Sequence, residues 1–94
     1  MTVIRVETLS HPYEVVIGPL AEGLEKIRDQ AGRTQPILVS EPRVFALHGA
    51  GLAEAIGADP ILVPEGEAAK DWDQLQSLLA QLAERRVSRT TPIV

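Results

Sequence analysis

The chain has 94 residues and no cysteine. That absence excludes disulfides and thiolate-bound metals, and it fits a cytoplasmic setting. Long apolar runs are missing too. No stretch approaches the ~18 uninterrupted apolar residues of a membrane-spanning helix, so no membrane partner is expected. The opening Met1-Thr2-Val3-Ile4-Arg5-Val6-Glu7 alternates apolar and charged residues. It lacks the basic start and apolar block of a signal peptide. Positive charge is also in short supply. Lys and Arg number 9 against 13 Asp and Glu, a net charge of -4, which disfavours nucleic acid as a partner. The basic cluster Arg85, Arg86 and Arg89 reads as a solvated helix end that complements the dipole.

Several catalytic signatures are absent. Gly49-Ala50-Gly51 has Glu54 where the third glycine of a dinucleotide fingerprint belongs, and no strand pattern precedes it. There is no Walker loop and no serine in a nucleophile elbow. His11 and His48 are far apart, and no His-x-x-x-His pair occurs, so no metal site is expected within these residues. His48 reads as helix surface or as a satisfied, partly buried group.

What remains is an ordinary globular composition, 45% hydrophobic and 23% charged. A folded monomer of this mass exposes about 5,300 Å² of the roughly 14,800 Å² of its unfolded chain, enough burial for one core. Three short apolar runs open with proline: Pro36-Ile37-Leu38-Val39, Pro60-Ile61-Leu62-Val63 and Pro92-Ile93-Val94. Proline is tolerated at the first residue of a strand, and runs that are apolar on both faces suit a covered parallel sheet. Helical patterns separate them. Pro19 is placed to start a helix in which Leu20, Leu24, Ile27 and Ala31 share a face, with Gly32 as its cap. A weaker helix over residues 44–56 carries Gly49 and Gly51 and ends at Gly57. Trp72, Leu75, Leu78, Leu79, Leu82 and Ala83 form a third stripe, entered through Asp71 and Gln74 in a capping-box pattern.

At the N-terminus, Ile4 and Val6 alternate with Arg5 and Glu7, and Tyr13, Val15 and Ile17 flank Glu14 and Val16. Two such runs predict a β-hairpin. The expected order is β-β-α-β-α-β-α-β. The predicted fold class is α/β: a Rossmann-like parallel sheet with helices on both faces and an N-terminal β-hairpin, truncated after a strand. Because Val94 falls inside that strand, a piece of a longer protein is expected, although a small domain ending on an edge strand is the alternative.

The segment Val63-Pro64-Glu65-Gly66-Glu67-Ala68-Ala69-Lys70 leaves the carboxyl end of a strand, where open α/β sheets place their ligands. Gly66 lets the backbone turn and approach a bound group. Glu67 and Lys70 are neighbours on a helical turn. The carboxylate can accept both hydroxyls of a ribose, and the ammonium can hold a phosphate or carbonyl. The alternative is a solvated turn with a surface ion pair worth about 0–1 kcal/mol. Ser40-Glu41-Pro42-Arg43-Val44 occupies the matching end of the preceding strand. There Glu41 can reach a ribose or an adenine edge, or Pro42 simply opens a helix.

Pro64-Glu65-Gly66-Glu67-Ala68-Ala69-Lys70 resembles the Pro-Asp/Glu-Gly-Glu-x-x-Lys segment of the 3-dehydroquinate synthase family. The hairpin ending at residues 13–18, the strand, polar pair and helix at residues 37–47, and the Arg-x-Ser pattern with an apolar strand at residues 86–94 are similar to that family in the same order. The resemblance implies an N-terminal NAD-binding α/β domain, residues 1–94. It further implies a separate C-terminal domain holding a divalent metal, zinc or cobalt. It also implies conversion of a sugar phosphate, 3-deoxy-D-arabino-heptulosonate 7-phosphate, to 3-dehydroquinate and phosphate in the shikimate pathway. Glu65, Gly66, Glu67, Ala68, Ala69 and Lys70 would contact NAD. No catalytic group is assigned within these residues, turnover by this chain alone is not expected, and a homodimer is left open. Glu41 and Arg43 stand where the family often has Asp or Asn and then Thr or Asn, and Asp71 where Ser or Thr is common. A related sugar-phosphate cyclase, or a flavodoxin-like binding module, would share much of this pattern.

Overall fold

The computed structural model describes Met1–Val94. Strands β1 (Thr2–Val6) and β2 (Tyr13–Ile17) form the expected antiparallel hairpin, with Ile4 opposite Val15 and Val6 opposite Tyr13. Helix α1 (Leu20–Ala31) follows. Pro19 stands just outside it as the flanking residue rather than as its first turn, and Gly32, at φ 57°, donates its N–H to the Arg28 carbonyl.

Strand β3 (Ile37–Ser40) pairs in parallel with β4 (Asp59–Leu62), Val39 lying opposite Ile61. On the other side of β3, Ile93 forms a parallel bridge to Ile37. Ile37 and Val39 donate to the carbonyls of Pro92 and Val94, and the Val94 N–H returns to the Ile37 carbonyl. The last predicted strand is thus reduced to a bridge, leaving an α/β fold with a separate hairpin and a two-stranded parallel sheet.

The prolines sit where the ladder permits. Pro36 precedes β3, whereas Pro60 is the second residue of β4. Asp59 and Val63 donate to Pro36 and Ser40 of the neighbouring segment. Odd-numbered β4 residues therefore face β3, and the Pro60 nitrogen points to the open edge, where no donor is required.

Between β3 and β4 the weak helical pattern is helical throughout. It runs as α2 (Pro42–Val44), a π-helical turn (Phe45–Gly49) and α3 (Ala50–Ile56), and Gly57 ends it in the left-handed region at φ 68°. The π turn is tightly packed on one side. Gly49 is buried, and a Cβ there would lie 2.7 Å from Phe45 Cδ2. The Phe45 ring occupies the space a side chain would need. Arg28 of α1 donates from Nε to the Ala55 carbonyl at 2.8 Å, tying α1 to the end of α3.

Helix α4 (Trp72–Glu84) closes the chain's regular structure. Its C-terminal end is fixed by Arg85, whose Nε lies 2.6 Å from Asp59 Oδ2 at the start of β4 while its Nη1 donates to the Gln81 carbonyl. The core is small: Ala31, Ile37, Leu38, Ala53, Ile56 and Ile61. None of the apolar stripe of α4 is fully buried, and Trp72 is 74% exposed. The accessible surface is 7155 Å², well above the roughly 5,300 Å² of a compact monomer of this size.

Candidate functional site

The carboxyl ends of β3 and β4 lie side by side, because the Val63 N–H donates to the Ser40 carbonyl at 2.9 Å. Two polypeptide bends therefore leave one end of the sheet together. After β3, Glu41 is extended and Pro42 opens α2. The Ser40 hydroxyl donates to the Glu41 carbonyl at 3.0 Å, and Arg43 is exposed.

After β4, Glu65 is extended and Gly66 adopts φ +61°. An L-residue is strained in that region, so the glycine is required by conformation. No atom lies within 4 Å of where a Cβ would stand, so the bend faces open space. Gly66–Ala69 then forms one turn of 3₁₀-helix, and the Lys70 N–H donates to the Glu67 carbonyl at 3.0 Å. Lys70 Nζ reaches Glu67 Oε1 at 3.0 Å. The two side chains are 71% and 87% exposed, so the pair is freely available to a ligand. Asp71 ends the bend. Its Oδ1 accepts from the Gln74 N–H at 2.8 Å and caps α4, which realises one half of the expected capping box.

Glu65, Gly66, Glu67, Ala68, Ala69 and Lys70 are thus one continuous bend, in which only Glu67 and Lys70 join their side chains. Ala69 and Lys70 also border an open cleft of about 390 Å³ between the sheet and α4. Val39, Val63, Trp72 and Leu75 line it. Sequence reading did not assign these residues to the site. The signal was available: Val39 and Val63 end adjacent strands, and Trp72 and Leu75 begin the α4 stripe. The bend therefore combines a carboxylate and an ammonium, both solvated, with an apolar wall. No group of three or more His, Cys, Asp or Glu side chains is placed to hold a metal ion. His48 is exposed within the π turn, and the His11 N–H donates to Thr8 Oγ1 in the hairpin loop. No helix is long and apolar enough to cross a membrane.

Comparison with known proteins gives this geometry a context. The chain is 35% identical over 97% of its length to a 3-dehydroquinate synthase of Cereibacter sphaeroides. It is 34% identical over 97% to the synthase of Jannaschia sp., and 31% identical over its full length to that of Pseudomonas putida. The chain belongs to the 3-dehydroquinate synthase family. It spans about a quarter of the length of these relatives, 26% of the first two synthases and 27% of the third. No family model matches it.

Proposed function

We propose that residues 1–94 form the NAD-holding α/β part of a 3-dehydroquinate synthase, with the bend at residues 65–70 as the seat of a cofactor ribose. The observation that supports this most is the exposed Glu67–Lys70 pair on a left-handed glycine bend at the carboxyl end of β4. The residues present suit the group. A carboxylate accepts hydrogen bonds from two vicinal hydroxyls, and charge-assisted bonds of this kind contribute about 1.5–3 kcal/mol each. The space over Gly66 is clear of other atoms, so a sugar can approach the backbone there.

In this reading Glu67 binds and orients the ribose. Lys70 screens the Glu67 charge and offers its ammonium to a neighbouring oxygen. Gly66 admits close approach, and Glu65, Ala68 and Ala69 shape the rim. The apolar wall of Val39, Val63 and Leu75 borders one side of the bend. Glu41, on the adjacent strand end, is the second carboxylate in reach of a nucleoside, with Arg43 beside it in sequence. When bound, NAD supplies reversible hydride acceptance.

The remaining parts of the reaction belong elsewhere. A divalent metal, zinc or cobalt, and the sugar-phosphate pocket are assigned to a C-terminal domain of the whole enzyme. In the whole enzyme the parallel strands of this N-terminal part would belong to a Rossmann-like sheet with helices on both faces. The whole enzyme would convert 3-deoxy-D-arabino-heptulosonate 7-phosphate to 3-dehydroquinate and phosphate. The 94-residue chain alone is expected to give no turnover. A chimera tests this reading: residues 1–94 replace the matching quarter of the Cereibacter synthase. The chimera should form 3-dehydroquinate with NAD, and Glu67→Gln should raise its KM for NAD about tenfold or more. An active chimera whose KM for NAD is unmoved by Glu67→Gln, or product formation by the isolated chain, would contradict the assignment.

A further inference from the structure

The two ends of the parallel sheet differ in chemistry. The carboxyl ends of β3 and β4 lead into the bend described above. At the amino ends a second hollow opens, of about 260 Å³, bordered by Thr34, Gln35, Asp59, Arg85, Arg86 and Thr91. The four residues of β4 set it about 13 Å along the strand from that bend. Arg86 is out of place in this hollow. Its φ is 55°, in the left-handed region that favours glycine. It follows the end of α4, where the Arg86 and Val87 N–H groups donate to the carbonyls of Ala83 and Leu82. Glycine ordinarily supplies such a helix-ending bend, as Gly57 does after α3. The Arg86 side chain therefore strains the backbone without being needed to stop the helix. It also takes part in none of the chain's four ion pairs.

We infer that this hollow binds a terminal phosphate group, as inorganic phosphate or a small phosphate monoester, with Arg86 as its principal cation. Charge selects the ligand. Asp59 is the one carboxylate on the rim, and it is already held by Arg85, whose Nε lies 2.6 Å from Asp59 Oδ2. Arg85 Nη1 donates to the Gln81 carbonyl at 3.1 Å, and its Nη2 is uncommitted. The positive charge of Arg86 is thus left over, in a chain whose net charge is -4. A guanidinium fork matches two oxygens of a phosphate. The hydroxyls of Thr34 and Thr91 and the Gln35 amide are neutral donors for the third. Thr91 Oγ1 accepts from the Ser88 N–H at 3.0 Å, which leaves its own hydrogen to donate. The diphosphate bridge of a dinucleotide has no terminal phosphate, so this site stands independently of the reading of residues 65–70.

Exposure sets the strength. Arg86 is exposed and the Arg85 and Asp59 side chains are 26% and 34% exposed, so water screens each contact. The dissociation constant for inorganic phosphate is therefore on the order of 1–10 mM. The hollow has room for an ester substituent as well, about 260 Å³ against the ~30 Å³ share of one water molecule.

The test is a titration of the isotopically labelled 94-residue chain with inorganic phosphate near pH ~8, where the dianion prevails. Sodium chloride is exchanged for phosphate so that ionic strength stays constant. The backbone amides of Thr34, Gln35, Arg86 and Thr91 should shift together. Glycerol 3-phosphate should move the same amides, and the tighter of the two ligands identifies the source of the phosphate group. Arg86→Gly should weaken binding about fivefold or more without lowering the melting temperature, because glycine suits the backbone there. Arg86→Lys keeps the charge without the fork and should also bind more weakly than the parent, which gives the same reading if the glycine variant unfolds. Amides that stay silent up to ~50 mM phosphate would overturn the proposal. So would shifts that chloride alone reproduces, shifts centred elsewhere on the chain, or binding that both Arg86 variants leave intact.

Discussion

Gly49 and Gly51 stand two residues apart in one continuous helical stretch, yet alanine at the two positions should act with opposite sign. At Gly51 no atom lies within 4 Å of an added Cβ. The methyl group meets no obstacle, and the gain is the helix propensity difference, up to ~1 kcal/mol. At Gly49 the same methyl would lie 2.7 Å from Phe45 Cδ2 and 3.3 Å from both Phe45 Cβ and Cγ. Overpacking of this kind costs about 1–3 kcal/mol. Part of it is offset by the propensity gain, so the net loss is about 1 kcal/mol. The Phe45 ring could rotate to relieve the Cδ2 contact, but its Cβ is fixed by the backbone and keeps the site tight. In a domain of this size 1 kcal/mol moves the melting midpoint by about 4–8 °C. Thermal and urea unfolding of Gly49→Ala and Gly51→Ala in parallel should give a fall for the first and a rise for the second. Equal rises at both positions would refute the claim that Phe45 fills the space beside Gly49.

Other changes have effects of known direction. Asp71→Ala removes the cap of α4 and should cost about 1 kcal/mol in urea unfolding, while Asp71→Ser should recover most of it. Arg85 and Asp59 should show a coupling of about 1 kcal/mol in a double-mutant cycle, because their half-buried contact joins the end of α4 to β4. Lys70→Ala should leave unfolding within ~0.5 kcal/mol of the parent, since its ion pair with Glu67 is solvated. Arg86→Gly should stabilise by up to ~1 kcal/mol, because Arg86 is the one non-glycine residue at positive φ, 55°.

How far the sequence announced these features varied with their physical origin. The Pro-led runs became β3, β4 and the Ile93 bridge because each is too short for a helix and apolar on both faces. The Glu67–Lys70 pair was legible because a spacing of three brings side chains together in a 3₁₀ turn as well as in an α-helix. The π turn was not legible, nor was the seat of the Phe45 ring over Gly49, a packing fact with no periodic signature. The stripe on α4 announced a surface that seeks cover, but a stripe does not state what covers it, and Trp72 stands exposed. The apolar wall at residues 39, 63, 72 and 75 required the sheet to bring separate segments together.

The account turns on whether residues 65–70 receive a nicotinamide dinucleotide. Titration of the isotopically labelled chain with NAD, followed at every backbone amide, tests this most directly. Weak binding with a dissociation constant on the order of 1 mM is expected for so exposed a bend. The shifts should centre on Gly66, Glu67 and Lys70, extend to Glu41, and diminish in Glu67→Gln. Shifts centred on any other part of the chain, or a bend that stays silent at saturating NAD, would contradict the account.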